Sequence, residues 1–440
     1  MLNSISSKKI ISDLTYHVKI NKSFHIWMAF LSVCLGVCLY AYIIQLRIGL
    51  GVTGMRDFVS WGMYISNFVF FVASALVGML ISAVLGLSGQ KWITPIARIA
   101  EIIAIAFASV AGLVIVSDMG RPDRLLNVFI YGRFQSPILW DVTVVTTYTL
   151  VSVLLFYIPL IPDLAILKND KTLPKWQSNI YNLMSINWKN SPEQQELAKN
   201  AIRILLILII PIALAIHTVT SWLFAFTPRV GWNSTIMGPY FVAGAFVAGV
   251  AAVVIVMYIL RKIYNLQAYI TDMHFDKTAK LLVLVSLVYL YFNINEYFVP
   301  GFKMQKSEAI HLHELFDGRF SCLFWSVQIF GLVLPIILLL IKPFRKPLPL
   351  FVIGIFVLVG SWFKRYLIVI PTMENPLLPI QNEPQNFAIY TPTVIEIAVT
   401  MGSLIMVVMI ISTLAKLFPV VPVHETIEEM SNEHTNETQK

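Results

Sequence analysis

Charge is scarce in this 440-residue chain. Asp, Glu, Lys and Arg together make up 13% of it, about half the share found in a typical soluble domain. With 57% apolar residues and a mean hydropathy of +0.75, that shortage excludes an ordinary water-soluble protein. Cysteine is nearly missing too. Cys34, Cys38 and Cys322 form no Cys-x-x-Cys or Cys/His metal spacing. Cys34 and Cys38 lie one helical turn apart in an apolar run and read as core thiols. No iron–sulfur cluster is expected in this chain. Deep histidine is rarest of all. A membrane-embedded haem b normally takes two His ligands, but only His217 sits deep in an apolar run. His25 lies at the edge of one, and His311 and His313 fall in a connector. No haem is expected either. Finally, no connector is long enough to fold as a domain of its own.

Long apolar runs are what the chain does have. Ten can be read, at roughly 26–46, 59–85, 98–117, 136–160, 202–226, 239–260, 281–298, 321–341, 349–371 and 394–418. About 20 apolar residues span the hydrocarbon core as a helix, whereas barrel strands alternate and run about 10 residues. The first run is too long for a cleavable signal and lacks a small-residue cleavage site. The expectation is an all-α integral membrane protein of about ten transmembrane helices. Helix count suggests two four-helix bundles, from runs 2–5 and 6–9, plus two extra helices. The domains follow: an N-terminal tail over 1–25, the transmembrane domain over 26–418, and a polar, disordered tail over 419–440.

The net charge of +8 is unevenly placed. The N-terminal tail, the even-numbered connectors and the C-terminal end hold 21 Lys and Arg; the odd-numbered connectors hold 9. Basic residues stay on the cytoplasmic side, so both termini are expected there. Orientation accounts for the basicity, and no nucleic-acid partner is expected. The odd connectors, including DMGRPDR at 118–124 and TPRVGWNSTIMGPY at 227–240, are rich in Pro, Gly and aromatics. They read as one docking surface on the outer face.

Intramembrane polar residues are costly and mark pathways, relays or ligand sites. Asn67, Asp118, Asp141, His217, Glu296, Arg365 and Glu396 all fall in the outer half of their runs. His217 is about nine residues from the outer end of its helix, roughly 13 Å deep at 1.5 Å per residue. It is too deep to reach water, and Thr218, Thr220 and Ser221 are its local partner candidates. Plainer readings exist for the others. Asp118 can cap a helix or pair with Arg121 or Arg124, Asp141 can answer a helix dipole, and Asn67 can join helices. Glu296 and Glu396 can be solvated, and Arg365 can pair with Glu396 or snorkel. Lys364 reads as an interfacial anchor. Glu101, near the cytoplasmic end of its run, reads as a shallow solvated carboxylate or the start of a proton route with Thr143, Thr146, Thr147 and Tyr148.

A deep histidine among carboxylates suits a quinone, whose head group needs hydrogen bonds and a proton-exchanging base. A proton-coupled secondary transporter is the alternative; it calls for a midplane site with broken helices.

Several short motifs stand in a telling order: Trp61-Gly62-Met63-Tyr64-Ile65-Ser66-Asn67, Asp118-Met119-Gly120-Arg121-Pro122, Ser136-Pro137-Ile138-Leu139-Trp140-Asp141, His217-Thr218-Val219-Thr220-Ser221-Trp222, residues 293–300, and Tyr390-Thr391-Pro392-Thr393 to Glu396. Together they resemble the NrfD/polysulfide-reductase membrane-subunit family, in its ten-helix branch, over about 26–423. That branch includes sulfite-reduction-associated and hydrogenase-linked membrane subunits and the large membrane subunits of alternative complex III. The last often carry His where this chain has Asp118. The resemblance implies a multi-pass protein of a bacterial or archaeal cytoplasmic membrane. It implies a site for a quinone substrate (menaquinone or ubiquinone) near the outer face and no cofactor of the chain's own. It also implies an extracytoplasmic ferredoxin-like iron–sulfur partner and further catalytic or cytochrome subunits. Carried over residue by residue, it points to Asn67, Asp118, Asp141 and His217. On this reading His217 exchanges protons, Asp118 and Asp141 stabilise or relay them, and Asn67, Arg365, Glu296 and Glu396 bind the head group or the partner.

Overall fold

The computed structural model describes residues 2–170, 173–375 and 385–428. Of the features read from the sequence, residues 376–384 of the last outer connector and 429–440 of the tail lie outside the described residues.

Apolar sequence in lipid must satisfy its backbone within each segment, which makes the helix the natural element. Fifteen α-helices follow: α1 (Leu2–Thr15), α2 (Lys22–Ile48), α3 (Met63–Leu87), α4 (Thr94–Asp118), α5 (Asn127–Ile130), α6 (Pro137–Leu167), α7 (Lys175–Met184), α8 (Pro192–Ala225), α9 (Met237–Ile263), α10 (Asp272–Lys303), α11 (Lys306–Phe316), α12 (Ser321–Gln328), α13 (Leu334–Leu340), α14 (Pro347–Glu374) and α15 (Val394–Leu417). Among the described residues nine helical stretches are long and apolar enough to cross a membrane, counting α12 and α13 as one. The 25-residue α3 adds a tenth. Local chemistry sets the ends. Pro137, Pro192 and Pro347 open α6, α8 and α14, where a missing N–H costs nothing. The Ser191 hydroxyl caps α8 by accepting from the Gln194 N–H.

α3, α4, α6 and α8 pack on one another, as do α9, α10, α12–α13 and α14, while α2 and α15 pair beside them. α3 and α9 join the two groups at the centre. The expected two four-helix bundles with two extra helices are thus present. Val37, Leu150, Leu284 and Ile337 point outward, as on a surface facing lipid. One run is less regular than its composition suggests: a π-helical turn, Ile329–Val333, separates α12 from α13.

The segments near the two termini meet on one face. His17 Nε2 is 3.3 Å from the Phe418 carbonyl oxygen, and Gln177 on α7 donates to the Val18 carbonyl. Residues 419–428, expected to begin a disordered tail, pack in place. Val420, Val421 and Val423 are buried, and the N–H groups of Val423 and His424 donate to the Asp163 carboxylate. That carboxylate also accepts from Arg98 Nη1 at 2.6 Å, so a buried ion pair fastens this segment. Glu101 is also buried rather than solvated. The hydroxyls of the alternative proton route are engaged elsewhere: Thr143, Thr146 and Thr147 bond to carbonyls of their own helix, and Tyr148 donates to the Ala75 carbonyl.

Candidate functional site

Four polar groupings stand at or toward the end opposite the termini. The most unusual joins α8, α9 and α14. His217 is 2% exposed, and neither ring nitrogen has a hydrogen-bond partner. The carbonyl of Ala213, one turn back, is its local polar neighbour. The three hydroxyls expected to serve it turn elsewhere: Thr218 to the Leu214 carbonyl, Ser221 to the Thr218 carbonyl, Thr220 to Asp141. The charge acting on His217 is Arg365. Arg365 is 2% exposed, and its Nε and Nη1 are unpartnered. Its guanidinium lies 5.0 Å from the centre of the Phe241 ring, over Gly244. Among the described residues no carboxylate makes an ion pair with it. A buried cation without a counter-ion is costly, and the pair presents unused hydrogen-bonding nitrogens to any oxygen placed between the helices.

The second grouping lies beside it, on α9, α10, α11 and α14. Lys364, expected as an interfacial anchor, is 3% exposed and donates to the Tyr297 hydroxyl. The Tyr240 and Tyr289 rings stack with centroids 5.2 Å apart. Tyr289 OH donates to Tyr240 OH at 3.4 Å, and Tyr240 OH donates to Asn293 Oδ1 at 3.1 Å. Glu296 accepts from Ser234, while its Oε2 is buried without a partner. His311 on α11 is buried, and burial plus the charge of Lys364 push it down to about 4. It is therefore a neutral imidazole near neutral pH.

The third grouping ties α2, α3, α4, α14 and α15. Glu396 is fully buried. Its carboxylate accepts from Tyr390 OH at 2.6 Å, Gly54 N at 2.7 Å and Thr393 N at 2.9 Å. It closes a capping box with Thr393 at the start of α15. Glu396 is thus neither solvated nor paired with Arg365. Asn67 accepts from Trp362 Nε1 and donates to Thr400 Oγ1, each at 2.7 Å. Tyr64 OH donates to Gln45 Oε1, and Gln45 Nε2 donates to the Ser117 carbonyl. Asp118 follows Ser117, within Coulombic reach of Glu396 and Tyr64. Its Oδ1 is unpartnered, and Arg121 turns to Asp123 instead. The fourth grouping is small: Asp141 on α6, 4% exposed, accepts from Thr220 Oγ1 on α8 at 2.5 Å.

All seven expected residues are therefore held at or near one end, but in separate clusters. The structure makes Arg365 the charged group that acts on His217. It places neither Asp118 nor Asp141 as the charge beside His217. Lys364, Tyr240, Tyr289, Tyr297 and His311 escape a reading of the sequence alone. One signal is available: Tyr289, Asn293, Glu296 and Tyr297 follow an i, i+4, i+7, i+8 spacing that places them on one face of α10. Among the described residues no group of three or more His, Cys, Asp or Glu can hold a metal ion.

Among the described residues, membrane-length helices enclosing buried, unpaired polar groups define a multi-pass integral membrane protein. The chain belongs to the family described as polysulphide reductase, NrfD, whose sequence model matches residues 51–375. It is 26% identical to a protein of Halobacterium salinarum named as a putative dimethyl sulfoxide reductase membrane subunit, covering 86% of this chain and 87% of that protein. It is 24% identical to a selenate reductase subunit of Mesobacillus selenatarsenatis, over 93% and 97% of the two chains. It is 23% identical to the Hdr-like menaquinol oxidoreductase integral membrane subunit of Archaeoglobus fulgidus, over 89% and 92%. The resemblance drawn from the short motifs is borne out.

Proposed function

We propose that this protein is the quinone-reactive integral membrane subunit of a multisubunit respiratory oxidoreductase. The observation that carries the reading is the Arg365–His217 pair. Two buried side chains, on helices that both pack against α9, hold nitrogens without a protein partner. A quinone carbonyl accepts from such donors, and a neutral histidine takes a proton from a quinol or returns one. Relatives named as a menaquinol oxidoreductase membrane subunit and as subunits of two reductases support the same class. Asp118 and Asp141 serve as further proton-handling carboxyls. Asn67 and Glu396 set the helix geometry around them.

Electrons pass between the quinone and an iron–sulfur partner on the outer face, the face opposite the termini. Exposed aromatics there support docking: Phe129, Tyr131 and Phe134 lie on and after α5, and apolar patches of this kind mark interaction surfaces. The chain itself carries no haem or cluster in this reading.

The test is photolabelling of the assembled complex with a reactive quinone analogue. Label on peptides from α8 and α14, displaced by excess quinone, is the expected result. A complex with neither quinone-linked turnover nor displaceable label contradicts the proposal.

A further inference from the structure

A cavity of about 50 Å³ lies at the end opposite the termini. It is formed by the loop after α8 together with α9, α10, α11 and α14. Tyr240, Glu296, Glu308, His311 and Thr372 contribute its polar wall. Three polar atoms of these side chains are buried with no protein partner: Glu296 Oε2, Glu308 Oε2 and His311 Nδ1. His311 is 7% exposed and closely confined. Gly231, at φ +84°, lets the loop pass so near that a Cβ there would lie 2.7 Å from His311 Nε2. A polar cavity needs roughly 10–15 Å³ to hold one water. This one has room for a few, and its orphan oxygens and imidazole nitrogen are the partners such waters need. At its inner end stand Lys364 and the Tyr240–Tyr289 hydroxyl pair. Beyond them lies Arg365: a Cβ on Gly244 would meet Arg365 Nη2 and Tyr289 Cε2 at 2.7 and 2.9 Å.

We propose that this cavity is a proton-transfer chamber linking the face opposite the termini to the Arg365–His217 pair, with Glu308 and His311 as its outer groups and Glu296 as its inner one. A carboxyl group and a neutral imidazole each accept a proton at one atom and release one from another, so a water-linked row of them conducts. The tyrosine hydroxyls do the same. The inference rests on the quinone reading. Each two-electron conversion between quinol and quinone exchanges two protons, while the two electrons pass to or from the iron–sulfur partner. The protons need a path that the electrons do not.

The experiment uses the assembled complex in liposomes, with Glu308→Gln and Glu308→Asp variants. The first expected result is turnover lowered about 10-fold or more in Glu308→Gln, with a larger solvent deuterium isotope effect and an unchanged KM for quinol. Glu308→Asp should restore most of the rate. A wild-type rate and isotope effect in Glu308→Gln overturns the chamber. A second arm needs no turnover. A water-soluble carbodiimide added at the face opposite the termini should modify Glu308 or Glu296; lack of modification at both overturns the chamber whatever the quinone result. Failure of the quinone reading looks different: the wild-type complex then shows no displaceable quinone label, while the carbodiimide reaction persists.

Discussion

Arg365 occupies the space that Gly244 leaves open on α9: a Cβ at that position would fall 2.7 Å from Arg365 Nη2. The smallest side chain larger than hydrogen therefore pushes the guanidinium away from its place by the Phe241 ring. Gly244→Ala should assemble, because the atoms it meets, of the Arg365 guanidinium and the Tyr289 ring, belong to side chains rather than backbone. Its quinone-linked turnover should fall by about 10- to 100-fold, the upper figure being what a misplacement of about 1 Å can cost. Wild-type turnover per assembled complex would show that the position of Arg365 is immaterial.

The Arg98–Asp163 pair is buried at 1% exposure on both sides, and Asp163 also holds the backbone of Val423 and His424. Removing one partner strands the other charge, at a cost of about 3–5 kcal/mol. Arg98→Ala should lower the Tm of the solubilised protein by several degrees and expose residues 419–428 to protease. An unchanged Tm and an unchanged cleavage pattern would mean that the pair does not fasten this segment.

His311 ties stability to pH. Its folded-state value of about 4 lies below the ordinary value of about 6.5. Below about 6.5 the unfolded chain binds a proton that the folded protein refuses. The stability from this group is complete above about 6.5 and drains away as pH falls toward 4, by on the order of 3 kcal/mol. His311→Gln should flatten the fall of Tm between those values. Identical Tm profiles for the variant and the wild type would contradict this.

The basic-residue asymmetry predicts both termini in the cytoplasm, and the contact of His17 with Phe418 shows the segments near the two ends sharing a face. Reporters fused after residue 440 and between α10 and α11 should report opposite compartments. The same compartment for both would sink the orientation, and with it the outer placement of the site.

The helices are legible in the sequence because lipid demands long apolar runs. Depth along each run is legible for the same reason, and it singles out His217. What each side chain touches is not. Whether Arg365 meets Glu396 or His217 depends on which helices face each other, and a single sequence with no residue-level repeat leaves that open. Glu396 is hardest to read correctly. Its polar partners come from Gly54, Tyr390 and Thr393, and two of these are backbone N–H groups that every residue type offers. Lys364 reads as an anchor because a lysine near a helix end usually snorkels to water; here Tyr297 and the ring of Tyr240 enclose it instead.

The most direct test of the account is quinone-linked turnover per mole of assembled complex in His217→Ala. Alanine removes the proton-exchanging imidazole. As a mere helix–helix contact the residue would be worth on the order of 1 kcal/mol, so assembly should survive. The account predicts that turnover falls about 100-fold or more, the usual contribution of a positioned acid–base group. Turnover near the wild-type rate in the assembled variant would contradict it.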